Sequence, residues 1–115
     1  MQITRYGFGK MIINGTTHTR DIIIFPERVE GPWWRMEGHQ LSKKDLELVW
    51  DACPDTLVVG TGYYGNMVIL EETLECACAH EIEVVAARTE DAVDTFNKLQ
   101  SDPKKKVVGA FHLTC

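Results

Sequence analysis

Three groupings in this chain have residue types and spacings that could do chemistry. The first is Gly60-Thr61-Gly62-Tyr63-Tyr64-Gly65. Its glycines fall as G-x-G-x-x-G, the spacing with which a strand-to-helix turn brings backbone N–H groups up to a pyrophosphate. That mechanism needs the third glycine at the opening of a helix, and a residue ~20 positions further on to hold the ribose. Here the loop runs into Asn66-Met67-Val68-Ile69, as good a strand as a helix, and the strand after it ends at Arg88 with no acid. No Gly-Lys-Ser/Thr follows, which removes a nucleotide P-loop. A tight structural turn or a small-anion pocket formed by Gly60 to Gly65 is therefore expected, and no cofactor.

The second grouping is Cys76-x-Cys78-x-His80, with His112-x-x-Cys115 near the end of the chain. Cysteine and histidine invite a zinc reading, but on a helix Cys76 and His80 share a face at i, i+4 while Cys78 points elsewhere. Buried or free thiols are the expectation, and no metal. Whether Cys76, His80, His112 and Cys115 meet in space is open at this level. The third grouping is Trp33-Trp34-Arg35 with His39. A guanidinium beside tryptophans can stack on a ring and bind a carboxylate; the plainer reading of Arg35 is a surface ion pair. In an extended segment adjacent side chains point to opposite faces, so one tryptophan reaches the core and the other stays near the surface as a contact patch. His39 or His112 could act as a general base, yet sequence places neither beside Ser42, Thr61 or Cys115 as nucleophile. No catalytic residue is assigned, and the expectation leans away from an enzyme.

These residues need a scaffold. Thr56-Leu57-Val58-Val59 reads as a buried strand whose carboxyl end opens into the glycine loop, the place where open α/β sheets put ligands. Before it, Asn14-Gly15 between β-prone arms predicts an N-terminal antiparallel hairpin or meander. Asp21 to Phe25 predicts a strand covered on both faces. Ser42, with Asp45 as the capping-box acid and Leu41 and Leu46 as a staple, opens a helix whose apolar face is Leu46, Val49, Trp50 and Cys53. Met67 to Leu70 fits either a short strand or the run-in to a helix. A second helix from Glu71 to about His80 is expected to turn Leu74, Ala77 and Cys78 inward. Then come a strand from Ile82 to Ala87, a helix capped by Thr89 with Ala92, Phe96 and Leu99 inward, and a last strand from Val107 to Leu113. Strand and helix alternating at this spacing make an α/β domain spanning residues 1–115, with right-handed crossovers where strands run parallel.

Composition narrows the function classes. A net charge of −5, from 17 acids against 12 Lys and Arg, lacks the clustered base that a nucleic-acid partner requires. The longest aliphatic run, Ile22 to Phe25, is far short of the ~20 residues that cross a bilayer, and Met1 to Tyr6 has no signal-like apolar region. The expectation is a cytoplasmic protein with no membrane or nucleic-acid partner, able to form a homodimer.

Taken together, Trp33-Trp34-Arg35, Gly38-His39, Leu57 to Gly62 with Met67, Ile82-Glu83-Val84, Thr89 with Ala92, Phe96-Asn97 and Leu99, and Phe111 to Cys115 resemble the adipogenesis-associated Mth938-domain family. That family is distantly related to mitochondrial complex I assembly factor 3 and has archaeal and bacterial members of unknown function. The likeness spans nearly the whole chain. It implies a three-layer α/β fold: a central mixed, mostly parallel sheet, helices on one side, and further β structure with a helix on the other. It implies no established catalysis, and some relatives act as assembly or interaction proteins. Two positions depart from the family pattern: Phe96 stands where relatives typically carry Tyr before Asn97, and His80-Glu81 where they often carry a glycine turn. A protein-interaction module using Trp33, Trp34, Arg35, His39 and the glycine loop is the first expectation. The alternative is a small-ligand or anion pocket lined by Thr61, Tyr63 and Tyr64, with Arg35 and His39 beside it.

Overall fold

Asn14 and Gly15 adopt φ of 49° and 82°, the left-handed pair that a two-residue hairpin turn demands. The computed structural model describes residues 1–115. In it that turn joins β2 (Lys10–Ile13) to β3 (Thr16–His18), and Phe8-Gly9 joins β1 (Ile3–Gly7) to β2, giving a three-stranded antiparallel sheet. The main sheet is built from β4 (Ile22–Ile24), β5 (Val29–Glu30), β7 (Thr56–Gly60), β9 (Glu83–Ala87) and β10 (Val107–Phe111). Its order is β5-β4-β10-β7-β9, with β10, β7 and β9 parallel and β4 antiparallel to both of its neighbours.

Alternation along each central strand sorts side chains into two layers. Ile23, Leu57, Val59, Val108 and Ala110 face a core closed by α1 (Glu47–Ala52) and α2 (Glu71–Ala79). Ile22, Ile24, Val58, Val107 and Phe111 face the other core, under α3 (Thr89–Gln100) and the antiparallel sheet, where Ala92, Phe96, Ile3, Met11 and Ile13 meet them. Each fully buried Val, Leu or Ile contributes about 1.5–3 kcal/mol. All five residues of β7 and of β10 are buried, so the carboxyl ends of these two strands are the most firmly placed points in the molecule. Met67 to Leu70 resolves as a strand: β8 (Val68–Ile69) pairs in parallel with β6 (Gln40–Leu41) in a separate two-stranded ribbon.

The helix starting at Ser42 forms as expected, with Asp45 Oδ2 accepting from both the backbone N–H and the hydroxyl of Ser42 at 2.9 Å. Its first turn, Lys43–Leu46, is a 3-10 turn that leads into α1. Three expectations about helix faces need correcting. Cys53 is exposed because it is the left-handed residue that ends α1, φ 47°. In α2 Leu74 and Cys78 are exposed, and Thr73 is inward with Ala77. The rotation follows from a polar contact that hydrophobic periodicity cannot read: Thr73 Oγ1 donates to Leu41 O at 2.7 Å and ties the helix to β6. Thr89 does not cap α3; Arg88 occupies that position, and Thr89 is fully buried.

Candidate functional site

Arg20 and Asp21 lie immediately before β4, and His112 and Leu113 lie immediately after β10, so the β4–β10 pairing brings the two segments side by side. Asp21 is the hub. Its Oδ1 accepts the Leu113 N–H at 2.7 Å, and its Oδ2 lies 2.7 Å from His112 Nδ1. A carboxylate only accepts, so the network assigns the His112 proton to Nδ1. Arg35 Nη1 sits 2.8 Å from the same Oδ2, an ion contact whose alignment is not that of a hydrogen bond. Arg35 Nη2 donates to Gly38 O at 3.0 Å and lies 3.1 Å from His112 Nδ1. The Arg35 guanidinium lies over Trp33, 4.8 Å from the ring centroid. Burial alone would push the Asp21 carboxyl up. The hydrogen bonds from His112 and Leu113, with the fields of His112 and Arg35, outweigh it and hold the carboxyl below its ordinary value.

This cluster is neither the surface ion pair nor the open base that sequence suggested. The Arg35 and His112 side chains are 5% and 8% exposed, and Arg35 Nε and His112 Nε2 are buried with no partner. Such orphaned atoms are uncommon in a folded interior. The His39 ring stands edge-on to His112, centroids 6.0 Å apart.

The glycine loop folds against the same place. Thr61 N donates to Ala87 O, Tyr63 N to Thr114 O, Gly65 N to Gly62 O, and Gly62 N to Thr89 Oγ1. Thr89 Oγ1 donates in turn to His112 O at 2.6 Å, so one buried hydroxyl bridges the loop to the strand end. Gly62 has φ +109°, and a Cβ there would lie 2.8 Å from Thr114 O and 2.9 Å from His112 Cδ2. Its glycine is thus required by close approach of backbone to backbone. With the amides of Thr61, Gly62, Tyr63 and Gly65 occupied by protein acceptors, the loop's shape serves to dock the segment after β10.

Tyr63 and Tyr64 form a packed aromatic group with Phe8, from the β1–β2 turn. The Tyr63–Tyr64 centroids are 5.1 Å apart, Phe8 is 5.6 Å from Tyr63 and 6.2 Å from Tyr64. Tyr6 lies 6.4 Å from Tyr63 and donates its hydroxyl to Leu113 O at 2.9 Å. Burial is the main reason its phenol is pushed up to about 12. Across Thr114 from this group is a cleft of about 250 Å³ lined by Thr19, Arg20, Asp21, Trp34, Arg35 and Thr114, among others. Trp33 is buried and Trp34 is exposed, as the extended geometry requires.

Cys76 and His80 stay apart from this region. Cys76 Sγ is 3.7 Å from His80 Nδ1, but that nitrogen's closer partner is Cys76 O at 2.8 Å, and the ring stacks on Trp50. No set of three His, Cys, Asp or Glu side chains converges as metal ligands. Ser42 is held by Asp45 and Thr61 Oγ1 donates to Ala87 O, so neither hydroxyl is paired with a histidine. Sequence reasoning missed Asp21, Arg20, Phe8 and Thr89. The available signal was Arg20-Asp21 abutting an apolar run, charges placed where a strand emerges from the core.

A family profile described as "Protein of unknown function (DUF498/DUF598)" matches residues 3–112. The chain is similar to the crystal structure of a conserved hypothetical protein from Pyrococcus horikoshii OT3, at 29% identity and TM-score 0.83 over 100% of both chains. A Mth938-like domain protein from Bordetella pertussis superposes with TM-score 0.78 at 22% identity, over 97% of this chain and 85% of that one. A structure described as an outer membrane protein from Bartonella henselae has TM-score 0.82 at 24% identity, over 98% and 94%. No helix of this chain is long and apolar enough to cross a membrane.

Proposed function

The chain belongs to this DUF498/DUF598 family of unknown function, and from that premise we propose that it is a non-enzymatic protein-interaction module whose contact surface is the aromatic end of the sheet. One observation carries the reading. Phe8, Tyr63 and Tyr64 are 55%, 38% and 63% exposed while packed against one another. An aromatic side chain carries ~150–250 Å², so these three present roughly 300 Å², already the size of the largest apolar patch on a typical monomer. Trp34 is also exposed, in the cleft that Thr114 lines. Rings that already hold one another lose little freedom on binding, and tyrosine and tryptophan are the residues in which interface energy concentrates. The glycine loop supports this reading by displaying Tyr63 and Tyr64 while the amides of Thr61, Gly62, Tyr63 and Gly65 bond to acceptors within the protein. Four free cysteines, two of them exposed, fit work in a reducing compartment such as the cytoplasm.

The test is partner capture by the purified protein and by a Phe8→Ser/Tyr64→Ser variant, with Lys104→Glu at the opposite end of β10 as control. Loss of the captured species with the aromatic variant, and retention with the control, is the expected result. Equal capture by all three would remove the patch from consideration. Sedimentation of the same proteins reads whether the partner is a second copy.

A further inference from the structure

The cleft beside the aromatic group is built differently from it, and goes beyond the interaction reading. Its lining carries Arg20, Arg35 and Asp21 as charged side chains, leaving one net positive charge in a protein of net charge −5. Asp21 is spent: its two oxygens are taken by Leu113 N, His112 Nδ1 and Arg35 Nη1. Arg20 is not. It makes no ion pair, and its guanidinium is held over the Trp34 ring, 5.7 Å from the centroid. Arg35 is stacked in the same manner on Trp33, and its buried Nε has no acceptor. Thr19 and Thr114, also in the lining, bring hydroxyls that make no hydrogen bond within the protein. A cation fixed on an aromatic face beside unpaired hydroxyl donors is a receptor for a planar anion, because a guanidinium fork matches a carboxylate in two parallel hydrogen bonds.

Size and charge define the ligand further. About 250 Å³ falls below the usual range for drug-sized ligands, ~300–1,000 Å³, and one positive charge balances one negative. The exposed Trp34 face and Pro32 offer a flat apolar wall. We propose that this cleft is a binding site for a small monocarboxylate with a flat apolar body, its carboxylate on Arg20 and the Thr19 and Thr114 hydroxyls, and its body against Trp34. The buried Asp21–Arg35–His112 cluster acts as the rigid floor that fixes the segment carrying Arg20.

Benzoate is the probe, with benzamide as its neutral isostere and hydrogen phosphate as a compact, more highly charged anion, each titrated into the ¹⁵N-labelled protein and followed by amide and indole NMR shifts. The expected result is saturable binding of benzoate in the millimolar range or tighter, with shifts at Thr19, Arg20, Thr114 and the Trp34 indole. Benzamide and phosphate should each bind at least tenfold more weakly. Arg20→Gln, at an exposed position that leaves the fold intact by the same spectra, should weaken benzoate at least tenfold, and Trp34→Ala several-fold. The proposal fails if benzoate does not saturate by 20 mM, an order-of-magnitude ceiling of about 2 kcal/mol. It fails equally if benzamide matches benzoate, if phosphate binds better, or if Arg20→Gln changes nothing. The Phe8→Ser/Tyr64→Ser variant should bind benzoate normally, so failure of this site and failure of the interaction reading are separable.

Discussion

Replacing Asp21 by Asn tests the arrangement on which the whole site stands. The native carboxylate faces three donors: Leu113 N, His112 Nδ1 and the Arg35 guanidinium, at 2.7, 2.7 and 2.8 Å. Asparagine keeps one acceptor oxygen for Leu113 N, but its NH₂ group turns a donor toward His112 and Arg35. The Arg35 side chain, 5% exposed, is then a buried cation without a counter-charge. Breaking a buried pair by removing one partner costs about 3–5 kcal/mol, most of it the penalty on the charge left behind. In a domain whose total stability is expected in the range of ~5–15 kcal/mol, that is a large share, corresponding to a fall in Tm of about 12–20 °C. Urea unfolding followed by tryptophan fluorescence at pH 7 measures it. Because the loss comes from the stranded cation, Asp21→Asn/Arg35→Met should recover at least half of it, a coupling of about 2 kcal/mol. Asp21→Asn should also flatten the acid limb. The Asp21 carboxyl is held below its ordinary value in the folded state, so its contribution is present above the unfolded carboxyl's range and disappears as pH falls through the folded value. A cost below about 1 kcal/mol, or a double variant no more stable than the single one, would refute this account of the cluster.

Three further outcomes follow from the geometry. Thr89→Val removes the hydroxyl that joins Gly62 N to His112 O and leaves both buried groups unpaired, costing about 2–3 kcal/mol in urea unfolding, while Thr89→Ser costs less than half as much. Glu81→Gly should raise stability by about 0.5–1 kcal/mol, because Glu81 sits at φ 58° just beyond α2, a backbone conformation that glycine adopts without strain. Tyr6 is pushed up to about 12 from 10.0, so its contribution is fully present below pH 10 and is lost as pH rises toward 12; the stability margin of the native protein over Tyr6→Phe should shrink between pH 9 and pH 12.

The scaffold was legible in the sequence because its signals are local and repeat. The Asn14-Gly15 turn, the apolar runs of Ile22 to Phe25 and Thr56 to Val59, and the Ser42–Asp45 box each specify their own geometry within a few residues. The site was less legible because it is made where β4 and β10, about ninety residues apart in sequence, lie antiparallel. Arg20 and Asp21 read from sequence as an ordinary charged step into a strand. Only the pairing brings His112 and Leu113 beside them, and only the return of the chain through Trp33 supplies Arg35. The same logic explains the misread helices. Thr73 and Thr89 look like surface or capping residues, yet each is buried because its hydroxyl reaches a carbonyl of a distant segment, Leu41 or His112. A buried threonine is inexpensive only where such an acceptor exists, and a hydrophobicity pattern contains no information about acceptors. The glycine loop shows the converse. Its G-x-G-x-x-G spacing reports close approach of backbone, which is what Gly62 provides, but the backbone approached is the Thr114–Cys115 segment of the same chain. Spacing alone therefore locates a close contact and leaves its partner undetermined. The partner is fixed by where the loop's N–H groups find their acceptors, and four of them find those acceptors inside the protein. What the loop turns outward is the pair of rings of Tyr63 and Tyr64, held by the four amides that bond inside the protein.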